Sequence, residues 1–142
     1  MTRCRIICTG NRLIPADEAG MLVYDELCSR TLPAGLEVIA GGLGGLDLLP
    51  FFSGCAQVIL VDRVVGCAAP GTVVHLDKAT LCALEGDDYG HSGGLSYLLK
   101  TLPHLGIEPL PRIDLIGIEG TGEVTTIHQA ADLALEVAHA LL

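Results

Sequence analysis

Few side chains in this 142-residue chain have the types and spacing to do chemistry, and three stand out: Asp17 (or its neighbour Glu18), Asp62 and His91. Two carboxylates and one imidazole on separate loops suit a divalent first-row metal, and three protein donors leave coordination positions open for a substrate. These residues also have plainer uses. A carboxylate after a strand often serves as a turn residue or helix cap, and a histidine between glycines is often only part of a loop. On spacing alone the plainer uses are favoured. Gly90-His91-Ser92-Gly93-Gly94 matches the G-x-S-x-G nucleophile elbow, but an elbow follows directly on a buried strand. Residues 85–90 read Glu-Gly-Asp-Asp-Tyr-Gly, which cannot be a core strand. Gly41-Gly-Leu-Gly-Gly lacks the glycine spacing of a dinucleotide fingerprint and reads as tight-turn glycines. No HExxH occurs, which excludes a zincin-type peptidase.

The elements that must position these residues alternate between short apolar runs and longer amphipathic ones. Cys4–Cys8 reads as a first strand, broken by Gly10-Asn11, and Ala19, Leu22, Val23 and Leu27 then recur at helical spacing. Leu36–Ala40 is a second strand ended by Gly41-Gly42, with a short helix expected around Leu46, Leu49 and Phe52. Gln57–Val61 has the near-continuous apolar character of a strand buried on both faces and is expected to stop at Asp62. Thr72–Leu76 is a fourth strand. Leu95, Leu98, Leu99 and Leu102 form a helical stripe, Ile113–Ile118 is a fifth strand, and Ile127, Ala130, Ala134, Val137 and Leu141 end the chain on a helix. The alternation predicts one α/β domain over residues 1–142, with a mostly parallel, five-stranded twisted sheet and helices on both faces. Ligands of such sheets bind beyond the carboxyl ends of the strands, so Asp17, the 41–45 glycines and Asp62 meet at one rim if strands one to three are parallel.

Composition narrows the function classes. Apolar residues make up 50% of the chain and charged residues 18%, which excludes intrinsic disorder. A net charge of −9 with 4% aromatics and no Trp argues against nucleic acid as a partner. No apolar run reaches the roughly 18 residues of a membrane span, and the start is too short for a signal peptide, so a cytoplasmic protein with no membrane partner is expected. The six cysteines show no CxxC pairing and sit mostly in apolar runs, where free thiols act as small hydrophobes.

Taken in order, the motifs resemble one family. They are Gly10-Asn11-Arg-Leu-Ile-Pro-Ala-Asp17-Glu-Ala-Gly20, then Gly41-Gly42-x-x-Gly45-Leu-Asp-Leu-Leu49, then Val58-Ile-Leu-Val-Asp62 with Ala69-Pro-Gly-Thr72. His91-x-x-Gly94-Leu95 and Leu115-Ile-Gly-Ile-Glu119 complete the series. Together they resemble the hydrogenase maturation endopeptidases over nearly the whole chain. The resemblance implies an endopeptidase that removes the C-terminal extension of a [NiFe] hydrogenase large-subunit precursor after nickel insertion. It implies Asp17, Asp62 and His91 as the nickel-sensing, catalytic ligand set; the ungapped frame from Asn11 favours Asp17 over Glu18, because it also places Gly20. The family's second acid before the first-loop ligand is Ala16 here, and the aspartate and threonine flanking its glycine pair are Ala40 and Leu43.

The resemblance further implies that Ni2+ is supplied by the substrate, with other divalent metals able to occupy the site in vitro. Two carboxylates and an imidazole lack the thiolates that would hold a metal permanently, and they leave positions for ligands from the partner. The expected partner is the hydrogenase large-subunit precursor, met transiently by a monomer. Two alternatives remain: a non-catalytic precursor- or metal-binding maturation factor of the same fold, and a serine hydrolase using Ser92.

Overall fold

The computed structural model describes residues 2–77 and 98–140. Among the described residues there are five strands: β1 (Cys4–Thr9), β2 (Leu36–Gly42), β3 (Gln57–Val64), β4 (Val73–Asp77) and β5 (Arg112–Glu119). They form one sheet in the order β2-β1-β3-β5-β4. The β2–β1, β1–β3 and β3–β5 pairs are parallel and β4 runs antiparallel to β5. This is the expected mostly parallel α/β sheet. Two α-helices, α1 (Ala19–Cys28) and α2 (Val124–His139), pack together on one face over Cys4, Ile6, Cys8, Ile59, Val61, Ile116 and Ile118. The other face buries Ile7, Val58, Leu60, Val64, Ile113 and Leu115 under Leu98, Leu99, Leu102 and Phe52.

The expected short helix after the second strand is a 3-10 helix, Leu46–Phe52, with Pro50 inside it. Proline has no N–H to donate, which suits this irregular segment better than a continuous α-helix. Of the helical stripe expected from Leu95 onward, residues 98–101 are helical and Leu102–His104 continue as a 3-10 turn; Leu95 lies outside the described residues. The third strand does not stop at Asp62. Arg63 and Val64 continue the pairing with β5, opposite Ile118 and Glu119. The charge on Arg63 misleads a hydropathy reading, but a sheet needs backbone partners rather than apolar side chains to continue.

Of the five described thiols two are buried as expected, whereas Cys28 is exposed and Cys55 and Cys67 are half-buried. Cys4 and Cys8 are fully buried, and loss of solvent pushes the Cys4 thiol up to about 12 and Cys8 higher still. Both thiols therefore stay protonated and inert at neutral pH.

Candidate functional site

The parallel pairing of β1, β2 and β3 brings their carboxyl ends to one rim. The chain leaves β1 towards β2 on one side and returns through β3 on the other. The crevice between the ends of β1 and β3 is therefore the topological switch point, where doubly wound sheets bind ligands. Asp62 lies there. The β1 pairing of β3 ends at Cys8↔Val61, one residue before Asp62, whereas the β5 pairing runs on through Asp62↔Gly117. The sequence reading placed Asp62 in a loop; it is instead held inside a strand at the point where one neighbour has departed. Its side chain is 1% exposed, and Oδ1 accepts a hydrogen bond from the Arg63 backbone N–H at 2.7 Å. Strand alternation puts it on the face of Leu60 and Val64, covered by residues 98–102.

Asp17 closes the 3-10 turn Pro15–Asp17, and Glu18 is the N-cap of α1. Both are half-buried. The loop that carries them is fixed by its own hydrogen bonds. The Asn11 N–H donates to the Asp17 carbonyl at 2.9 Å, Ile14 N–H to the Asn11 carbonyl, Asp17 N–H to the Ile14 carbonyl, and Leu13 N–H to Asn11 Oδ1. The Asn11 contact is an Asx-type turn, a local bond that short amide side chains favour. Gly20 then lets α1 sit directly on the strand ends. A Cβ at Gly20 would lie 2.0 Å from the Thr9 carbonyl oxygen and 3.0 Å from that of Val61, the residue before Asp62. Gly10 allows a similar approach, since a Cβ there would lie 2.6 Å from the Asp17 carbonyl oxygen. The first loop is thus seated against the same strand ends that present Asp62.

His91, the third expected ligand, and Ser92 lie outside the described residues. Among the described residues no three His, Cys, Asp or Glu side chains group as a metal site. Ala40 and Leu43, which flank the glycine pair, are both exposed, and Gly41 is packed so closely that a Cβ would lie 2.9 Å from the Ile7 and Thr9 methyls. Two hollows, of about 390 and 330 Å3, lie elsewhere: one beside Arg3, Cys55 and Pro109, the other between α1 and α2.

Two residues take supporting roles that the sequence reading did not assign, although Glu119 belongs to one of its motifs. Thr9 Oγ1 donates to the Val61 carbonyl at 3.3 Å, tying the end of β1 to the strand of Asp62. Glu119, at the carboxyl end of β5, accepts the N–H groups of Cys67 (2.7 Å) and Ala68 (3.1 Å), which shapes the loop after β3. A glutamate ending an apolar strand is a signal for such a role, although its partners lie 51 and 52 residues away in sequence.

With this geometry in place, comparison with known proteins is decisive. The family model described as hydrogenase maturation protease matches residues 21–137. The chain belongs to that family. The matched span includes Asp62 and His91 and begins after Asp17. A curated relative, the hydrogenase 2 maturation protease of Escherichia coli strain K12, is 29% identical over 119 residues, covering 82% of this chain and 72% of the relative. In structure, the hydrogenase maturating endopeptidase HybD from E. coli superposes with a TM-score of 0.78 at 23% identity, covering 98% of this chain and 93% of that one. The [NiFe] hydrogenase maturation protease HybD from Thermococcus kodakarensis gives 0.73 at 24% identity, with 99% of both chains covered. These likenesses establish the fold. No helix among the described residues is long and apolar enough to cross a membrane.

Proposed function

We propose that this hydrogenase maturation protease is a cytoplasmic, monomeric endopeptidase that removes the C-terminal extension of a [NiFe] hydrogenase large-subunit precursor once nickel is in place. The carrying observation is Asp62: a carboxylate buried in the sheet, at the switch point, beside the loop that holds Asp17. Its place just past the last β1–β3 pair, at the carboxyl ends of parallel strands, is where doubly wound sheets take their ligands. Asp17, Asp62 and His91 are the proposed catalytic and metal-contacting residues. The segment with His91 leads directly into residues 98–102, which pack on the face of Asp62.

Nickel enters this reading as part of the substrate. Two carboxylates and an imidazole are suitable donors for a borderline divalent ion and leave positions for the ligands the precursor already supplies. Recognition of the loaded metal then licenses cleavage, so an empty precursor is spared.

The test is a processing assay with purified chain and precursor, read by mass spectrometry of the released extension. Cleavage is expected only of nickel-loaded precursor. Asp62→Asn and His91→Ala should each lower the rate by roughly 100-fold or more, on the scale of losing one essential transition-state contact. Ser92→Ala should process normally, and a fluorophosphonate probe should leave the protein unlabelled. Full processing by His91→Ala, or tightly held zinc in the purified protein, would overturn the mechanism.

A further inference from the structure

The large exposed apolar side chains of the described residues are not scattered. Leu13 (90% exposed) and Ile14 follow β1, Leu43 (71%) and Leu46 follow β2, Val65 follows β3, and Val124 (71%) starts α2 just beyond β5. All six therefore lie at the rim of the carboxyl ends, spread across four adjacent strands. Leu105, on the approach to the amino end of β5, is the one such residue elsewhere. Single exposed leucines need no explanation, but this concentration on one rim, around Asp17 and Asp62, marks an interaction surface.

The charge around it specifies the partner. Glu18, Asp47 and Glu123 border the apolar residues together with Asp17. The basic Arg12 of this rim is engaged with Asp25 through two bonds of 2.9 and 2.8 Å. The whole chain carries a net charge of −9. We propose that this rim is the docking surface for the hydrogenase precursor, which meets it with an apolar patch bordered by Lys and Arg. The identity of the partner rests on the peptidase reading above; the chemistry of the surface does not. Apolar contacts on both sides of the carboxylates exclude water from the cleavage site, and the acidic border steers approach.

Equilibrium binding of purified precursor to the immobilised chain tests this without requiring cleavage. Combining Leu13→Ser with Leu43→Ser removes two apolar side chains that contribute little to the core and leaves the charge unchanged, so thermal unfolding should be unaltered. The double variant should bind the precursor roughly ten-fold or more weakly, as loss of central apolar anchors does. Added salt should weaken the wild type, and Leu105→Glu should match it. Unchanged affinity in the double variant, or no binding by the wild type, overturns the docking surface. So does a wild-type dimer that the double variant abolishes, since the rim would then serve a second copy of the chain. A chain that binds through the rim but never cuts would defeat the peptidase reading and leave the docking surface standing.

Discussion

Asp114 and Asp62 are both buried carboxylates on adjacent strands of one sheet, near its opposite ends. Asp114, on β5, is wrapped by side chains. Gln57 Nε2 donates to it at 2.9 Å, Arg112 Nε at 3.0 Å, and His75 Nε2 contacts it at 2.8 Å. Burial alone would raise its carboxyl; the hydrogen bonds from Gln57, His75 and Arg112 outweigh that and hold it below the ordinary carboxylate range. Because Gln57 starts β3, His75 belongs to β4 and Arg112 starts β5, the cluster clamps three strands at the amino end of the sheet. Asp62, near the other end, accepts the backbone N–H of Arg63 and sits one residue past the last β1–β3 pair. A carboxylate enclosed by side-chain donors from three strands is a fastener, and one at the carboxyl ends of parallel strands stands where ligands of such sheets bind. Burial alone does not distinguish the two; the surroundings do.

That contrast breaks most visibly by substitution at the clamp. Asp114→Ala leaves Gln57 buried without its partner and unties β4, and should cost about 3 kcal/mol in urea unfolding. Asp62→Asn, measured the same way, should shift the midpoint far less while losing processing. The reverse ranking would mean that the two aspartates have exchanged roles. The sign with pH follows from the lowered carboxyl of Asp114. Its stabilisation is present above the ordinary aspartate range and is lost as pH falls through its folded value, below about pH 4. The gap between wild type and Asp114→Ala should therefore narrow in acid.

A smaller effect tests how rigidly the site end is built. Gly20→Ala forces a methyl group against backbone rather than against a flexible side chain, so α1 must move off the strand ends. A loss of about 1–3 kcal/mol in thermal unfolding is expected, in line with overpacking elsewhere, with a fall in processing because Asp17 moves too. The smallest effect belongs to Arg12→Ala. Its ion pair with Asp25 is half exposed on both sides, so solvent screens it and it should contribute little, and less still in salt.

The architecture was legible because β-branched runs such as Gln57–Val61 and the helical stripe from Ile127 leave little choice of element type. Strand order was not, since backbone pairing carries no local signature. The overrun of β3 past Asp62 was hidden by Arg63, whose charge resembles a strand end. Asp114 was legible in principle: a single acid in the apolar run Arg112-Ile-Asp-Leu-Ile must be either exposed or partnered. Only Arg112 is local; Gln57 and His75 come from two other strands, at separations of 57 and 39 residues that no periodicity joins. Asp17 and Asp62 stand out in the sequence because each follows an apolar run, a pattern that marks the approach to a strand's carboxyl end.

The closed ring of hydrogen bonds between Asn11 and Asp17 has a bearing on how this protein can change over generations. Leu13 and Ile14 face solvent, so the ring itself sets no limit on their side chains; only the proposed docking does. The number of residues between Gly10 and Gly20 is not free in this way. One codon gained or lost would carry Asp17 out of its turn while both glycines remained pinned to the strand ends. Descendants of this chain should therefore keep the length of the loop more strictly than its letters.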